Sequence, residues 1–183
     1  MVRWTAVVGI FTGVLAVAAA VQGWAFIQSE RATIYPQIER ISPIPLVSDQ
    51  PMFVDVTLIN SGRAQAFFSE ARVGMWGGKS LPNKPDFSHS KFAVSGFIPP
   101  GNRRYFTVGP IEPAFNWAQI DDINRGNNFF LYIYGFVKFT DDFSVFGPKI
   151  VGFCGQYEPS QIGKAPGATP ISDCQNANYE YSR

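Results

Sequence analysis

The chain has 183 residues, enough for one ordinary domain and an additional segment, and its 46% of hydrophobic residues argues against a wholly disordered protein. Charged residues make up only 16% of the chain, well below the roughly 25% that is typical of a soluble domain. The net charge of +1 provides neither a basic field that would attract nucleic acid nor an acidic tail.

The shortage of charge is concentrated near the N-terminus, where the chain contains no charged residue from Trp4 to Ile27. At about 1.5 Å per helical residue this segment is roughly 36 Å long, which is enough to cross a hydrocarbon core of about 30 Å. Trp4 and Trp24 lie near its two ends, where amphipathic rings favour the headgroup region. The sequence therefore predicts a transmembrane helix over residues 4–28, preceded by a cytoplasmic N-terminus at residues 1–3.

A cleaved signal peptide is the competing interpretation of this segment. Arg3 forms a short positive region, and Ala18-Ala19-Ala20 contains an A-x-A cleavage pattern. The apolar stretch nevertheless continues to Ile27, which makes it longer than the usual 7–15 residues of a signal peptide. We therefore expect an uncleaved anchor.

Two further features of the anchor concern its neighbours and its orientation. Gly9 and Gly13 have the spacing that allows a second helix to approach closely. The positive charge of Arg3 favours a cytoplasmic N-terminus, because the charges that follow the helix cancel: Glu30, Arg31, Glu39 and Arg40. The rest of the chain is then expected on the outer side of the membrane.

The remainder of the chain reads as short strands separated by turns. Pro36, Pro43 and Pro45 predict a stalk that merges into an edge strand over residues 29–47. Alternating β-branched and aromatic residues then predict strands over 53–59, 67–76, 92–98, 104–108, 129–140 and 143–154. Turns are expected at Asn60-Ser61-Gly62 and Asp141-Asp142, a loop over 77–90, and a helical turn within 112–127 that carries Trp117, Ile120 and Ile123.

This pattern predicts an all-β protein, an antiparallel β-sandwich over residues 48–157 that follows one transmembrane helix. The residues after Tyr157 are rich in Pro, Gly, Ser, Asn and Gln, so residues 158–183 are expected to form a polar tail on the surface.

Two segments carry a resemblance to known proteins. The stretch from Val54 to Ala66 resembles a strand-and-turn segment of bacterial immunoglobulin-like domains, with an Asn-x-Gly after the strand. The stretch from Tyr134 to Phe143, followed by Gly152-Phe153-Cys154, is similar to the closing hairpin of small membrane-anchored proteobacterial proteins of unknown function. The resemblance covers roughly residues 48–155 and implies an immunoglobulin-like sandwich without a known activity. The chain departs from the antibody-type pattern, because no Cys pair spans two core strands.

Cys154 and Cys174 are the only cysteines in the chain. In an exported domain they are expected to form a disulfide that closes a loop of about 20 residues and contributes roughly 3 kcal/mol. Two unrelated thiols, one of them buried in the hairpin, are the alternative. The chain has no Cys-x-x-Cys motif, so a redox function is disfavoured.

The sequence contains no catalytic, cofactor-binding or metal-binding motif. His89, the only histidine, is expected in an exposed loop, and no Gly-x-Ser-x-Gly elbow accompanies it. Asp121-Asp122 and Asp141-Asp142 could attract calcium, but a helix N-cap and a hairpin turn explain the two pairs better. Trp76 and Trp117 are expected in the core, while stacking on a bound sugar is the alternative.

These observations predict a non-enzymatic, single-pass protein of a bacterial inner membrane whose C-terminal domain lies in the periplasm. We expect it to bind lipid through its helix and to act as a protein-binding or accessory subunit of a membrane complex, with no cofactor and no nucleic acid. Its contacts are expected at loops 76–90, 99–104 and 112–127, at the tail, or at the Gly9 and Gly13 face of the helix. The alternative is a module that binds carbohydrate or an envelope polymer through Trp76 or Trp117, and an enzyme that uses His89 comes third.

Overall fold

The computed structural model of the protein describes residues 2–48, 50–87, 96–111, 115–144, 147–162 and 170–174, together with Tyr179 and Ser182. Two α-helices lie in this part of the chain, α1 (Val2–Glu30) and α2 (Trp117–Arg125). Most of the rest forms strands: β1 (Ile34–Ser42), β2 (Met52–Asn60), β3 (Ala66–Gly78), β4 (Gly96–Ile98), β5 (Arg103–Ile111), β6 (Phe130–Thr140), β7 (Lys149–Tyr157) and β8 (Ile171–Asp173). A single turn of 3-10 helix, Pro159–Gln161, precedes β8.

Helix α1 stands apart from the β-structure. Its side chains from residue 7 to residue 29 are exposed, and the segment Val7–Glu30 is long and apolar enough to cross a membrane. A signal sequence near an N-terminus can meet the same criterion of length and apolarity. The structure therefore supports one N-terminal apolar helix of membrane-spanning length, as predicted.

The strands form two antiparallel sheets, which confirms the predicted all-β class of the body, the part of the chain after α1. One sheet has the strand order β1-β2-β5, and the other has the order β4-β3-β6-β7-β8. The predicted closing hairpin is the pair β6 and β7, whose register joins Tyr134 to Cys154 and Val137 to Val151. Strand β7 begins at Lys149 rather than at Phe143, because the Asp141 side chain accepts hydrogen bonds that hold Phe143 and Ser144 in a turn.

The inner faces of the two sheets share one hydrophobic core. Val54, Val56 and Leu58 point inward from β2, because alternate residues of a strand face the same side. They belong to the same cluster of buried side chains as Val73 of β3 and Val137 of β6. At about 25 cal/mol per Å² of buried apolar surface, this core is the main contribution to folding.

A second, smaller cluster lies on the outer face of the five-stranded sheet. Tyr134, Cys154 and Tyr179 are buried there, and Leu81 and Phe87 of the preceding loop pack against them. The sulfur atoms of Cys154 and Cys174 are at bonding distance, with their Cα atoms 5.5 Å apart. The described part of the C-terminal tail is therefore held against the sheet, because Tyr179 also donates a hydrogen bond to the Pro82 carbonyl at 2.8 Å.

The predicted helical turn is α2, but two side chains around it differ from the expectation. Asn116, not the Asp121-Asp122 pair, caps the helix, because the Asn116 and Gln119 side chains form a reciprocal capping box. Asp121 instead pairs with Arg125 at 2.9 Å, one turn further along the exposed face.

The expectation that both tryptophans fill the core is wrong. Trp117 is 74% exposed and Trp76 is 41% exposed, since each lies on a face that points away from the shared core. His89 and residues 92–95 of one predicted strand lie outside the described residues.

Candidate functional site

The connection between α1 and the body contains only three residues, 31–33, which we call the junction. Strand β1 (Ile34–Ser42) begins directly after it, so about half of the segment predicted as a stalk and edge strand, residues 29–47, is strand. The junction is bonded to both sheets through side chains that lie far apart in the sequence. The junction determines how the body is attached to the helix.

Asn60, at the end of β2, binds the junction from the side of the three-stranded sheet. Its side chain is fully buried, and its amide nitrogen donates to the carbonyls of Ala64 at 2.8 Å and Ile98 at 3.0 Å. Its amide oxygen accepts from the backbone N–H groups of Gly62 at 3.1 Å and Thr33 at 3.4 Å. The buried amide therefore uses both of its donor hydrogens and both acceptor positions of its oxygen, and these four bonds join the junction to two loops of the body.

Gly62 lies directly against the junction backbone. A Cβ atom at this position would overlap the carbonyl oxygen of Arg31 and lie 2.7 Å from the Cα of Ala32. The neighbouring Arg63 donates its backbone N–H to the Arg31 carbonyl at 3.3 Å, and its guanidinium pairs with Glu30 at 2.8 Å. The Asn60-Ser61-Gly62 turn predicted from sequence is therefore also the contact surface for the end of α1.

Asp141 binds the junction from the side of the five-stranded sheet. Its carboxylate has no exposed surface and accepts from the Ala32 N–H at 3.1 Å and from the Lys149 ammonium at 3.0 Å. The guanidinium of Arg31 lies 3.5 Å away, and Lys149 also donates to the Ala32 carbonyl at 3.0 Å. The second carboxylate oxygen accepts from Phe143 and Ser144. One buried negative charge is thus shared by two cations and three further donors.

The ionisation of Asp141 follows from these contacts. Burial by itself raises the pKa of this carboxyl group, but the hydrogen bonds from Lys149 and Ser144, the positive charge of Lys149 and the Ala32 N–H lower it by more. The net result is a pKa below the ordinary value for aspartate. Asp141 is therefore ionised at neutral pH and holds the junction as a charged acceptor.

A groove of about 770 Å³ opens between β1 and β7 beside this cluster. Arg31 and Lys149 line one end of it, Ile34 and Phe153 contribute apolar walls, and Asp173 lines it as well. Ser182 forms a bridge to Val151 at its side, so the C-terminal tail borders the groove. The cavity therefore combines two cations and one carboxylate with apolar walls.

The membrane-length helix presents a continuous face of small residues. Gly9 and Gly13, which were predicted as a contact site, belong to a longer series with alternating spacings of four and three: Gly9, Gly13, Ala16, Ala20 and Gly23. Nothing lies within 4 Å of a Cβ placed on any of the three glycines. Val7, Phe11 and Val14 lie on the opposite face together with Ala18, and small residues repeated at this spacing are the geometry used for close helix packing in membranes. The predicted interfacial residues Trp4 and Trp24 are 79% and 53% exposed.

The other residues considered from sequence do not form a site in the described chain. Trp76 and Trp117 both lie at the end of the body opposite to α1, and the Trp76 indole N–H donates to the Ser80 carbonyl at 3.1 Å. Among the described residues, no group of three His, Cys, Asp or Glu side chains is arranged to hold a metal ion. The importance of Asn60 and Asp141 was not predicted, because their partners in the junction, Thr33 and Ala32, are 27 and 109 residues away in sequence.

The chain was compared with family models, curated proteins and solved structures. No family model, no curated protein and no solved structure matches it.

Proposed function

We propose that the protein is a non-enzymatic, single-pass membrane protein whose β-body is held at a fixed position above the bilayer and whose helix binds a partner helix in a membrane complex. The observation that carries this proposal is the combination of an exposed apolar helix with a junction bonded to both sheets. A flexible tether would suffice to keep a domain near a membrane. A short connection with two sets of buried contacts instead transmits the orientation of the helix to the body.

The helix face supplies the second part of the argument. Five small residues in heptad-like spacing favour close contact with another transmembrane helix, since lipid tails provide no hydrophobic driving force for association. Gly9 and Gly13 lie in the half of this face nearest the N-terminus, and Ala20 lies in the other half. The contact is therefore available along the full depth of the membrane.

The fold of the body fits the same proposal. The first, second and fifth strands share one sheet, and the third, sixth and seventh share the other, which is how an immunoglobulin-like sandwich distributes them. Strand β4 pairs with β3, whereas the fourth strand of a constant-type domain joins the first sheet. We propose an immunoglobulin-like body on the periplasmic face of a bacterial inner membrane.

The test uses a matched pair of substitutions in the helix. Ala20→Ile adds bulk on the small face, and Ala18→Ile adds the same bulk on the opposite face. The full chain is extracted from native membranes in mild detergent and sized on native gels. We expect Ala20→Ile and Gly13→Ile to reduce the wild-type complex to the uncomplexed protein and Ala18→Ile to leave it intact. A wild-type protein that migrates as a monomer would overturn the proposal, and co-purification of two differently tagged copies would identify the partner as a second copy.

A carbohydrate-binding module is the second candidate, and the exposure of both body tryptophans favours it. Aromatic rings stack on the apolar faces of sugars, and Trp117 is 74% exposed. Pull-down of the full chain with cell-wall polysaccharide tests this function directly. Retention that falls on Trp117→Ala but not on Tyr105→Ala, an aromatic at the other end of the body, would favour it over the protein-binding function.

A further inference from the structure

The end of the body next to α1 carries exposed basic and aromatic side chains around the point where the helix leaves. We call this group the collar, and it consists of Arg63, Phe67, Phe97, Arg103, Arg104 and Tyr105. Phe67 and Phe97 are cross-strand neighbours that are 40% and 52% exposed, and Tyr105 is 60% exposed. Hydrogen bonds from Asn60 place these residues beside the junction. The Asn60 backbone N–H donates to the Asn102 carbonyl, and its side-chain amide donates to the Ile98 carbonyl.

The collar lies at the height of lipid headgroups if α1 spans the bilayer. Ile27 is the last apolar residue of the helix, and Glu30 lies about 4.5 Å beyond it. The headgroup region is only about 5–7 Å thick on each side of the hydrocarbon core. The junction adds at most about 10 Å before the body begins, and Arg63 reaches back to Glu30 at 2.8 Å, so the loops around the helix end face the membrane surface.

Charge is distributed unevenly between the two ends of the body. Near α1 the described residues include five basic side chains and three acidic ones, and the carboxylate of Asp141 is fully buried: Arg31, Arg63, Arg103, Arg104 and Lys149 against Glu30, Asp141 and Asp142. The described loops and α2 at the opposite end contain three basic and four acidic side chains: Lys79, Lys84 and Arg125 against Asp86, Asp121, Asp122 and Glu158. The end facing the membrane is thus the positive end.

Basic and aromatic residues together are the composition of a membrane interface. Arg and Lys attract anionic headgroups, and amphipathic rings such as Tyr prefer the headgroup region. Arg103 lies 5.5 Å over the ring of Tyr105, so one such pair is already formed on the exposed face. We propose that the collar binds the headgroups of anionic phospholipids in the leaflet from which the body emerges. This inference depends on the proposed membrane anchoring and adds a second, lipid-specific contact to it.

The experiment compares hydrogen exchange of the full chain in nanodiscs of phosphatidylcholine and in nanodiscs that also contain phosphatidylglycerol. We expect slower exchange in the anionic discs within residues 99–104, where the exchanging amides are those of residues 101–104 because Pro99 and Pro100 have no N–H. The difference should disappear at about 1 M salt, where charges are screened within about 3 Å. Residues 115–129 at the opposite end should exchange equally in both.

Matched variants separate charge from folding. Arg103→Gln should speed exchange of residues 99–104 in anionic discs about fivefold, since one basic residue near an anionic surface is worth about 1 kcal/mol. Arg103→Lys should preserve the slow exchange, and Arg125→Gln, at the other end of the body, should leave it unchanged. Equal exchange of wild-type residues 99–104 in both kinds of disc would overturn the collar proposal. Resistance to alkaline carbonate extraction reports the anchor separately, so loss of lipid contact and loss of anchoring give different results.

Discussion

The buried carboxylate of Asp141 allows a direct test of the junction. In Asp141→Asn the side chain keeps its size and one acceptor oxygen, which can still serve Phe143 and Ser144. In the wild type, one carboxylate oxygen accepts hydrogen bonds from the Ala32 N–H at 3.1 Å and from the Lys149 ammonium at 3.0 Å. In the variant an NH₂ group takes the place of this oxygen, so that donors face donors. The variant therefore removes the bond that ties the junction to the five-stranded sheet.

The expected loss of stability follows from the burial of the three charges. Removing one member of a buried ion pair costs about 3–5 kcal/mol, because the remaining charge is left without a partner. The Arg31 and Lys149 side chains are 15% and 22% exposed, so water can compensate part of this cost. Lys149 also keeps its bond to the Ala32 carbonyl. We therefore expect a loss near the lower end of the range, about 3 kcal/mol.

The assay is urea unfolding of the full chain in mild detergent, followed by near-ultraviolet circular dichroism. Asp142→Asn is the matched control, since Asp142 is exposed and the same change there should cost under about 0.5 kcal/mol. A penalty for Asp141→Asn below about 1 kcal/mol at neutral pH would refute the view that this carboxylate holds the junction together.

The pH dependence gives an independent check on the same residue. The folded pKa of Asp141 is lower than that of an unfolded aspartate, which is about 4. The stabilisation is therefore complete above about pH 4 and is lost as the pH falls through the folded pKa. The difference in unfolding free energy between wild type and Asp141→Asn should shrink in acid, and a difference that stays constant would contradict the assigned charge.

Three further predictions concern other parts of the body. Burial raises the pKa of Tyr179 to about 12. Binding of the tail to the sheet should therefore weaken as the pH rises from about 10 through 12, because the phenol must lose its proton there. The Tyr179→Phe substitution should remove the corresponding late step from the phenolate absorbance titration. Gly62→Ala should lower the unfolding free energy by about 1–3 kcal/mol because its Cβ overlaps the junction, whereas Ser61→Ala should have little effect. Replacing both Cys154 and Cys174 with Ala should cost about 3 kcal/mol, and a reducing agent should then have no further effect.

Local patterns were sufficient to predict the elements themselves. The alternation of residues 53–59 predicted β2, and the aromatic run from residue 129 predicted β6. Both predictions were possible because the residue pattern of a strand is visible within a few consecutive residues. Membrane-length apolarity likewise predicted α1. The Asp141-Asp142 turn was predicted as well, but not the length of the connection that follows it.

The contacts that define the candidate site have no local signature. Asn60 is a suitable turn residue by its type, yet its bond to Thr33 depends on two strands meeting at one end of a sheet. Asp141 resembles any acidic turn residue until β7 places Lys149 beside it. The exposure of Trp117 was missed because a large aromatic residue in a helical turn is buried more often than not, and only the packing of α2 decides which face it presents.

The separation of the junction contacts along the chain also orders events during synthesis. Helix α1 is made first, whereas the Asp141 carboxylate that binds Ala32 follows 109 residues later and Lys149 later still. The hydrogen bond between Asn60 and Thr33 can form much earlier, since Asn60 lies 27 residues after Thr33. A nascent chain can therefore rotate about its anchor while the body is being translated, and it loses this freedom only when β7 is in place. Assembly with a partner helix could begin before that point, but the orientation of the body would be fixed only after it.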